Sequence, residues 1–479
     1  MLPCLPTVIG GCPNGDTTCK ESLQSLFFAR MSSPDPRGAR GPLVRFFAEV
    51  RRSCRDGLVV SGHHNTNRIA RLGQPLAFLL GVESGKVLAK FRTPLSTVDV
   101  VPRIWRRESE VLRVVGAHVG EVPGCLADFG EWSLHGYLEG RALAEEVPEG
   151  PIGTRRLLEL AEFFASLAGV PADQLPPLPG DWPEDGDSSG FLAWLVRFTE
   201  NEVHRSNRSR FGNLFDAVGI PADAMDRFMN SLTGLARRPF TLLHTDVHRA
   251  NVVVVPGRQG TSLSVIDWEL ALYGDPLHDL ATHLVRMGYD KTEQDLMTAL
   301  WAKAMREAGH ADMTAFMDQD LPAYLGFEYA QSVFPDVMRA ALTLPDHPEE
   351  RDFTEAAARV CRALHRAREP LRLTDGIPGV GEVAVALREW HAKDSPDRVE
   401  AVVGGQEWAG SGSDAMVPEP LRRARLREWT RRGERMGRTG PSGAGPRSDA
   451  PDHIEPAGRV GDMDPTSAAG HREVTGVGG

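Results

Sequence analysis

The chain has 479 residues, 41% of them hydrophobic and 25% charged, with a formal net charge of −11. That length exceeds one ordinary domain and suggests two or three compact units, or fewer plus tails, and the composition is that of a globular protein. The negative balance argues against nucleic acid as a partner and suits neutral or cationic ligands. No stretch approaches ~18 uninterrupted apolar residues, so no membrane span is expected. The opening MLPCLPTVIGGCPNG lacks the basic and apolar regions of a signal peptide, so the expected location is cytoplasmic. Six cysteines (4, 12, 19, 54, 125 and 361) form no CxxC pair and read as reduced thiols. Only six lysines occur, against many arginines, which with abundant Ala, Gly, Pro and Asp reads as a GC-rich genome of actinobacterial type.

Residues 1–42 are rich in Pro, Gly, Cys and Ser and read as a disordered or non-native extension, with Met31 as a candidate true start. A short amphipathic helix is expected near 43–54. From Gly57 to Arg92 the pattern is β: Leu58-Val59-Val60, Arg68 to Leu72, Leu76 to Val82 and Val87 to Phe91, with GVESGKV at 81–87 read as a turn. That segment resembles a Walker A loop but is one spacer short, and it lacks the final Ser or Thr. A helix follows at 103–116, then a strand pair ending at Gly140. Helical spacing dominates afterwards, over Leu157–Leu167, Phe191–Glu202, Ala224–Ala236, His278–Met287, Glu293–Glu307, Asp318–Met338 and Asp352–Arg368, with one β-like interruption at 240–267. From about 374 Gly, Pro, Arg and Asp rise, and 374–479 reads as a mostly disordered tail with a possible helix near 418–432.

The chemistry concentrates in TLLHTDVHRANVVVVPGRQGTSLSVIDWELALYGDPLHDLA, Thr241 to Ala281. Apolar residues lead into His244-Thr245-Asp246, and Asn251 follows after four more residues. Two β runs of similar length, Val252–Val255 and Leu263–Ile266, flank a turn, and Asp267 comes next. Antiparallel legs of matched length place the residue before the first beside the residue after the second. Asn251 and Asp267 are therefore expected side by side, an oxygen pair suited to Mg²⁺, which takes few protein ligands and keeps water and phosphate oxygens. Asp246 would reach a hydroxyl beside the metal-bound phosphate. Phosphoryl transfer needs this positioning and charge neutralisation, and the spacing matches the kinase loop H-x-D-x-x-x-x-N followed by a hairpin and an Asp.

HTDVHRAN…VIDWE…GDPLHDLA resembles the aminoglycoside phosphotransferase and choline kinase-like family, which shares the protein-kinase fold. The resemblance implies an α+β, two-lobe architecture: a small antiparallel β N-lobe over 43–138 that binds ATP, and a mainly helical C-lobe over 139–373 that holds the acceptor. It implies Asp246 as catalytic base, Asn251 and Asp267 as ligands of Mg²⁺, His244 as loop support, Glu269 as a further acid near the metal and Asp279 as a brace. Thr245 departs from the family, where Gly is usual. Lys90, on a strand resembling V-A-I-K, is expected to pair with Glu108 at the start of the next helix, with Arg92 and Glu110 as fallback members. SGHHNTN, with Ser61 and Gly62, sits where backbone N–H groups could meet phosphates. By resemblance, the Gly136 carbonyl and the Leu138 N–H would meet adenine. The acceptor, a small molecule with a hydroxyl, is expected near Glu200, Glu202 and His204 or near Glu328 and Gln331; neither its identity nor the oligomeric state is readable. The alternative function is a catalytically weak, nucleotide-binding regulator of the same fold. The intact set Lys90, Glu108, Asp246, Asn251 and Asp267 argues for the enzyme.

Overall fold

The computed structural model describes residues 41–403, apart from 55–56, 62–64, 83–87, 95–99, 121, 258–259 and 374–375. The N-terminal extension, the turn at 83–87, Gly62 and the helix expected near 418–432 lie outside the described residues.

The small lobe starts with α1 (Gly41–Ser53), β1 (Leu58–Ser61), β2 (Asn65–Arg71), α2 (Gln74–Leu80) and β3 (Leu88–Pro94). It continues through α3 (Glu108–His118), β4 (Cys125–Asp128) and β5 (Ser133–Gly136). The five strands form one antiparallel sheet in the order β1-β2-β3-β5-β4, so β3 lies at its centre. Alternation along β3 decides what it does. Ala89 and Phe91 are buried in an apolar cluster with Val44, Leu76, Trp132 and Leu134, which leaves Lys90 and Arg92 on the opposite face. The run Leu76–Val82, expected as a strand, is the helix α2. Pro75 at its first turn, Gly81 in the left-handed conformation at its end, and Leu, Ala and Phe in place of β-branched residues all favour the helix.

The polypeptide then passes through β6 (Arg141–Ala142), α4 (Leu143–Glu146) and α5 (Thr154–Ala168) into α6 (Ser188–Phe198), a π-helical turn at Thr199–Arg205, and α7 (Ser206–Ala217). After α8 (Ala224–Met229) come β7 (Thr241–Leu243), the hairpin β8 (Val252–Gly257) and β9 (Gly260–Val265), and β10 (Leu272–Gly274). The helices α9 (Pro276–Met287), α10 (Lys291–Glu307), α11 (Met317–Leu342), α12 (Glu350–Ala367) and α13 (Val380–Val403) complete the large lobe. The segment expected as a helix over 224–236 is helical only to Met229.

The structure therefore has the two-lobe α+β architecture expected of a protein-kinase-like fold: a small antiparallel sheet followed by a mainly helical lobe. The large core joins α5, α6, α9, α11 and α12, and it also takes in Val111, Leu112 and Val115 of α3. So the helix that carries Glu108 is packed into the large lobe's core. The boundary expected at 374 is corrected by α13, where Val383, Ala384, Leu387 and Trp390 are buried. Their i, i+1, i+4, i+7 spacing is an apolar helical stripe, and Trp390 stacks on Phe211 of α7.

Candidate active site

The catalytic-loop candidate is His244 to Asn251, between β7 and β8, and α9 holds it from below. Asp279 Oδ2 accepts the His244 N–H at 2.7 Å and its Oδ1 accepts the Thr245 N–H at 2.8 Å. One turn on, His283 Nδ1 is 2.8 Å from the Val247 carbonyl. One further turn brings Arg286, whose Nη1 is ion-paired with Asp246 Oδ1. These three residues stand at i, i+4 and i+7, one face of a helix. From the other side, the buried Arg249 donates to the carbonyls of Met287, Val147 and Gly150. Burial pushes the Asp279 carboxyl up to about 7 in spite of its two N–H donors.

Thr245 occupies the position where the family has Gly, and its φ is 59°. A β-branched residue in this left-handed region is strained. Its hydroxyl compensates by donating to the Leu270 carbonyl at 2.6 Å. His244 is fully buried against Trp268, its Nδ1 accepts the Asp246 N–H at 3.2 Å, and burial lowers its pKa to about 4. A neutral imidazole that fixes the loop fits the supporting place expected for it.

Asp246 accepts from Asn251 Nδ2 at 2.9 Å through Oδ2, and His248 Nε2 lies 3.5 Å from Oδ1. Burial alone would raise its pKa; the guanidinium of Arg286, helped by His248, outweighs burial and holds the carboxyl well below its usual range. The hairpin forms as expected, but its register is one residue from the expected one: Val252 lies opposite Val265, so Asn251 faces Ile266 and Asp267 comes one residue later. Pairing runs one step beyond the strands, because the Ile266 N–H donates to the Asn251 carbonyl at 2.9 Å. Asp267 follows at once, with φ at 73°, which turns the chain and leaves its side chain 32% exposed.

The cation on the carboxylates is not the one expected. Lys90 makes no ion pair among the described residues, and burial, with Arg92 beside it, lowers its pKa. Arg92, two residues on and on the same face of β3, takes the carboxylates instead. Its Nε is 2.8 Å from Glu108 Oε2, and its Nη2 is 2.8 Å from Asp267 Oδ1 and 2.7 Å from Glu269 Oε2. An arginine presents a rigid fork of donors that can serve several carboxylates, and a lysine head cannot do so in a plane. Glu108 also accepts the Trp268 N–H at 2.9 Å, and Glu110 turns away to Arg107. Arg103 reaches Glu269 at 3.3 Å. Burial and the neighbouring Asp267 push the Glu269 carboxyl up to about 7, against the pull of both arginines.

The remaining expected residues fall as follows. Ser61 ends β1 at the mouth of the β1–β2 loop, opposite Thr66. At the start of the link between lobes, the Gly136 N–H donates to the Gly124 carbonyl at 2.8 Å and the Tyr137 N–H to the Leu88 carbonyl at 3.2 Å. Gly136 and Leu138 therefore flank a peptide tied to β3. Glu200 is committed to His204 at 3.0 Å and Arg205 at 2.7 Å, and His204 is buried between Phe215 and Phe334. Those two side chains serve the packing of the π-helical turn. Glu328 faces His278 at 3.6 Å and Gln331 at 3.3 Å. Arg286 was missed from the sequence, although its spacing from Asp279 and His283 was visible.

Asp246 and Asn251 thus sit on a loop braced by a buried acid, and Asp267 follows the hairpin under a strand-borne cation. The chain matches the phosphotransferase enzyme family over residues 73–319, just over half its length, and it belongs to that family. It is a small-molecule kinase. No curated protein sequence matches it. Among solved structures it is similar to an ethanolamine kinase of Plasmodium vivax, at 11% identity and a TM-score of 0.45, covering 75% of this chain and 95% of that one. It is similar to a macrolide 2′-phosphotransferase of Brachybacterium faecium, at 18% identity and a TM-score of 0.36, covering 66% and 97%. It is also similar to a choline kinase of Cryptosporidium parvum, at 13% identity and a TM-score of 0.40, covering 73% and 99%.

Proposed function

We propose that the protein transfers the γ-phosphoryl group of ATP to a hydroxyl of a small molecule, with Asp246 as the base and Asn251 and Asp267 holding Mg²⁺. The observation that carries this reading is the convergence of Asp246, Asn251 and Asp267 at one end of the β8–β9 hairpin. An amide oxygen and a carboxylate suit Mg²⁺, a hard cation that keeps several waters and phosphate oxygens. Bound there, Mg²⁺ would neutralise charge on the phosphates.

The residues of the chain do the rest. Asn251 Nδ2 steadies Asp246 Oδ2, which faces the acceptor hydroxyl and receives its proton. The new bond joins the acceptor oxygen to the γ-phosphorus, the bond from that phosphorus to the β,γ-bridging oxygen breaks, and ADP leaves. Lys90, on the face of β3 that carries Arg92, supplies positive charge for the phosphates. Arg92 anchors Glu108 and Asp267. The link at Gly136–Leu138 is the proposed seat of adenine, by its place between the lobes.

The test pairs binding with turnover. Mg-ATP is expected to raise the melting temperature of the full chain. Asp246→Asn is expected to retain that shift while losing about 10²–10⁴-fold in kcat, the usual worth of a positioned base. An unchanged melting temperature with saturating Mg-ATP would overturn the assignment.

A further inference from the structure

The charges gathered beside Asp246 bear on the acceptor itself. On the α9 and α11 side of Asp246 stand Arg286, His248, Glu328, Asp336 and Arg339, with Arg366 of α12 behind them. Every carboxylate in this group is already engaged. Asp246 is held by Arg286 and Asn251. Asp336 is held by Arg339 at 3.4 Å and Arg366 at 3.0 Å. Glu328 is buried and takes the Gln331 amide and His278 as neighbours.

The guanidinium of Arg286 is less committed. It pairs with Asp246 through Nη1 alone and makes no other hydrogen bond among the described residues. Its side chain is 29% exposed. Arg339 is close enough to feel the charges of both Arg286 and Asp246. An acceptor that seats its hydroxyl on Asp246 therefore meets Arg286 first, with the charge of Arg339 behind it. A polycation would meet like charge there, and each of the described carboxylates of this group already has a partner. An oxyanion would find the planar, multi-donor fork that recognises carboxylate and phosphate groups.

We propose that the acceptor carries an oxyanion, a carboxylate or a phosphate, close to the hydroxyl that is phosphorylated, and that Arg286 is its main contact, with Arg339 in support. This inference rests on the phosphotransfer reading above. It sets the substrate class apart from the amino alcohols and amino sugars that a cationic acceptor would represent.

Matched probes test it. Glycerol, D-glycerate, glycerol 3-phosphate and serinol share a three-carbon frame and differ in charge; glucose, gluconate and glucosamine repeat the comparison on six carbons. Each is titrated calorimetrically into the full chain saturated with Mg-ADP and assayed for ADP release with Mg-ATP. At least one anionic member is expected to bind about tenfold or more tighter than its neutral partner, the worth of a hydrogen bond to a charged group. A carboxylate and a phosphate source are told apart by which member responds. Arg286→Met should raise KM for the anion, and Arg286→Lys should recover part of the loss. Arg339→Gln leaves Asp246 its partner and should still weaken anion binding, so the test does not depend on one variant folding. Tighter binding or faster turnover of serinol, glucosamine or kanamycin overturns the proposal. So does anion binding that Arg286→Met leaves unchanged, or no anion binding at all. Failure of Mg-ADP to bind would instead strike the phosphotransfer reading.

Discussion

Replacing Arg92 with Met separates the cation that holds the site together from the one the motif suggests. Arg92 is 4% exposed in its side chain, Glu108 7%, Glu269 8% and Asp267 32%. Glu108 and Glu269 are largely buried, so solvent screening discounts mainly the Asp267 contact. Removing one partner of a buried ion pair costs about 3–5 kcal/mol, because the acids stay buried and uncompensated. For a domain of this size that is a fall in melting temperature of roughly 4–7 °C. Lys90→Met is expected to be near neutral or slightly stabilising, since burial already disfavours the Lys90 charge, while weakening Mg-ATP binding. The comparison is made by thermal and denaturant unfolding of both variants at pH 7, with Arg92→Met/Glu108→Gln closing a cycle that should recover part of the loss. Arg92 is the main cation that holds the Glu108 and Asp267 carboxyls below their ordinary values, against burial. Their stabilisation is therefore present above those ordinary values and is lost as pH falls. The gap between parent and Arg92→Met should then hold from pH 7 down to the ordinary carboxylate range at about pH 4 and narrow below it. A loss under ~1 kcal/mol for Arg92→Met, or a larger one for Lys90→Met, would refute the reasoning, since a buried partner removed should cost several-fold more.

Thr245→Val keeps the shape but leaves the Leu270 carbonyl without its donor, a loss of about 1–3 kcal/mol. Thr245→Gly loses the same bond but relieves roughly 1–2 kcal/mol of left-handed strain, so denaturant melts should find Gly much milder than Val. Arg286→Met removes the charge that holds Asp246 down, and burial then pushes its pKa up. The acid limb of kcat/KM should move to higher pH in the variant, and a profile that superimposes on the parent's would contradict the assignment of Asp246 as base. Gly274→Ala would place a Cβ 2.3 Å from the Phe191 ring, which is itself fully buried against Trp182, Phe240 and His278. Overpacking of this kind costs about 1–3 kcal/mol, read by thermal denaturation.

The large-lobe site was legible because its order along the chain is its order in space. Two legs of equal length bring Asn251 and Asp267 to one end of a hairpin, one residue out of register with each other, and the loop from His244 to Asn251 is contiguous. The small-lobe cation was not legible in the same way. Lys90 and Arg92 lie on one face of β3, and alternation cannot say which of two long side chains reaches Glu108. The number of carboxylates decides it: Glu108, Asp267 and Glu269 converge from three elements, and only the arginine fork meets all three. The run at Leu76 misled because four or five apolar residues fit a strand or a buried helix equally. Pro75 before it and Gly81 after it held the answer. The helix over 380–403 was hidden by the Gly and Pro residues on its flank, although Val383, Leu387 and Trp390 already showed a helical stripe.

Asp267 serves two positive partners. Arg92 donates to its Oδ1, and the proposed Mg²⁺ takes the same carboxylate. A ligand that binds one state of a shared group weakens the other partner's hold, and the coupling is reciprocal. Metal affinity at the proposed site would therefore be tied to how firmly β3 is drawn to Glu108, whose helix belongs to the large lobe's core. A substitution that alters the strain on β3, far from any acceptor contact, should change the metal concentration for half-saturation by the same factor by which metal changes the grip of Arg92. On the proposed reading, the central strand of the small sheet would tune cation uptake through Arg92.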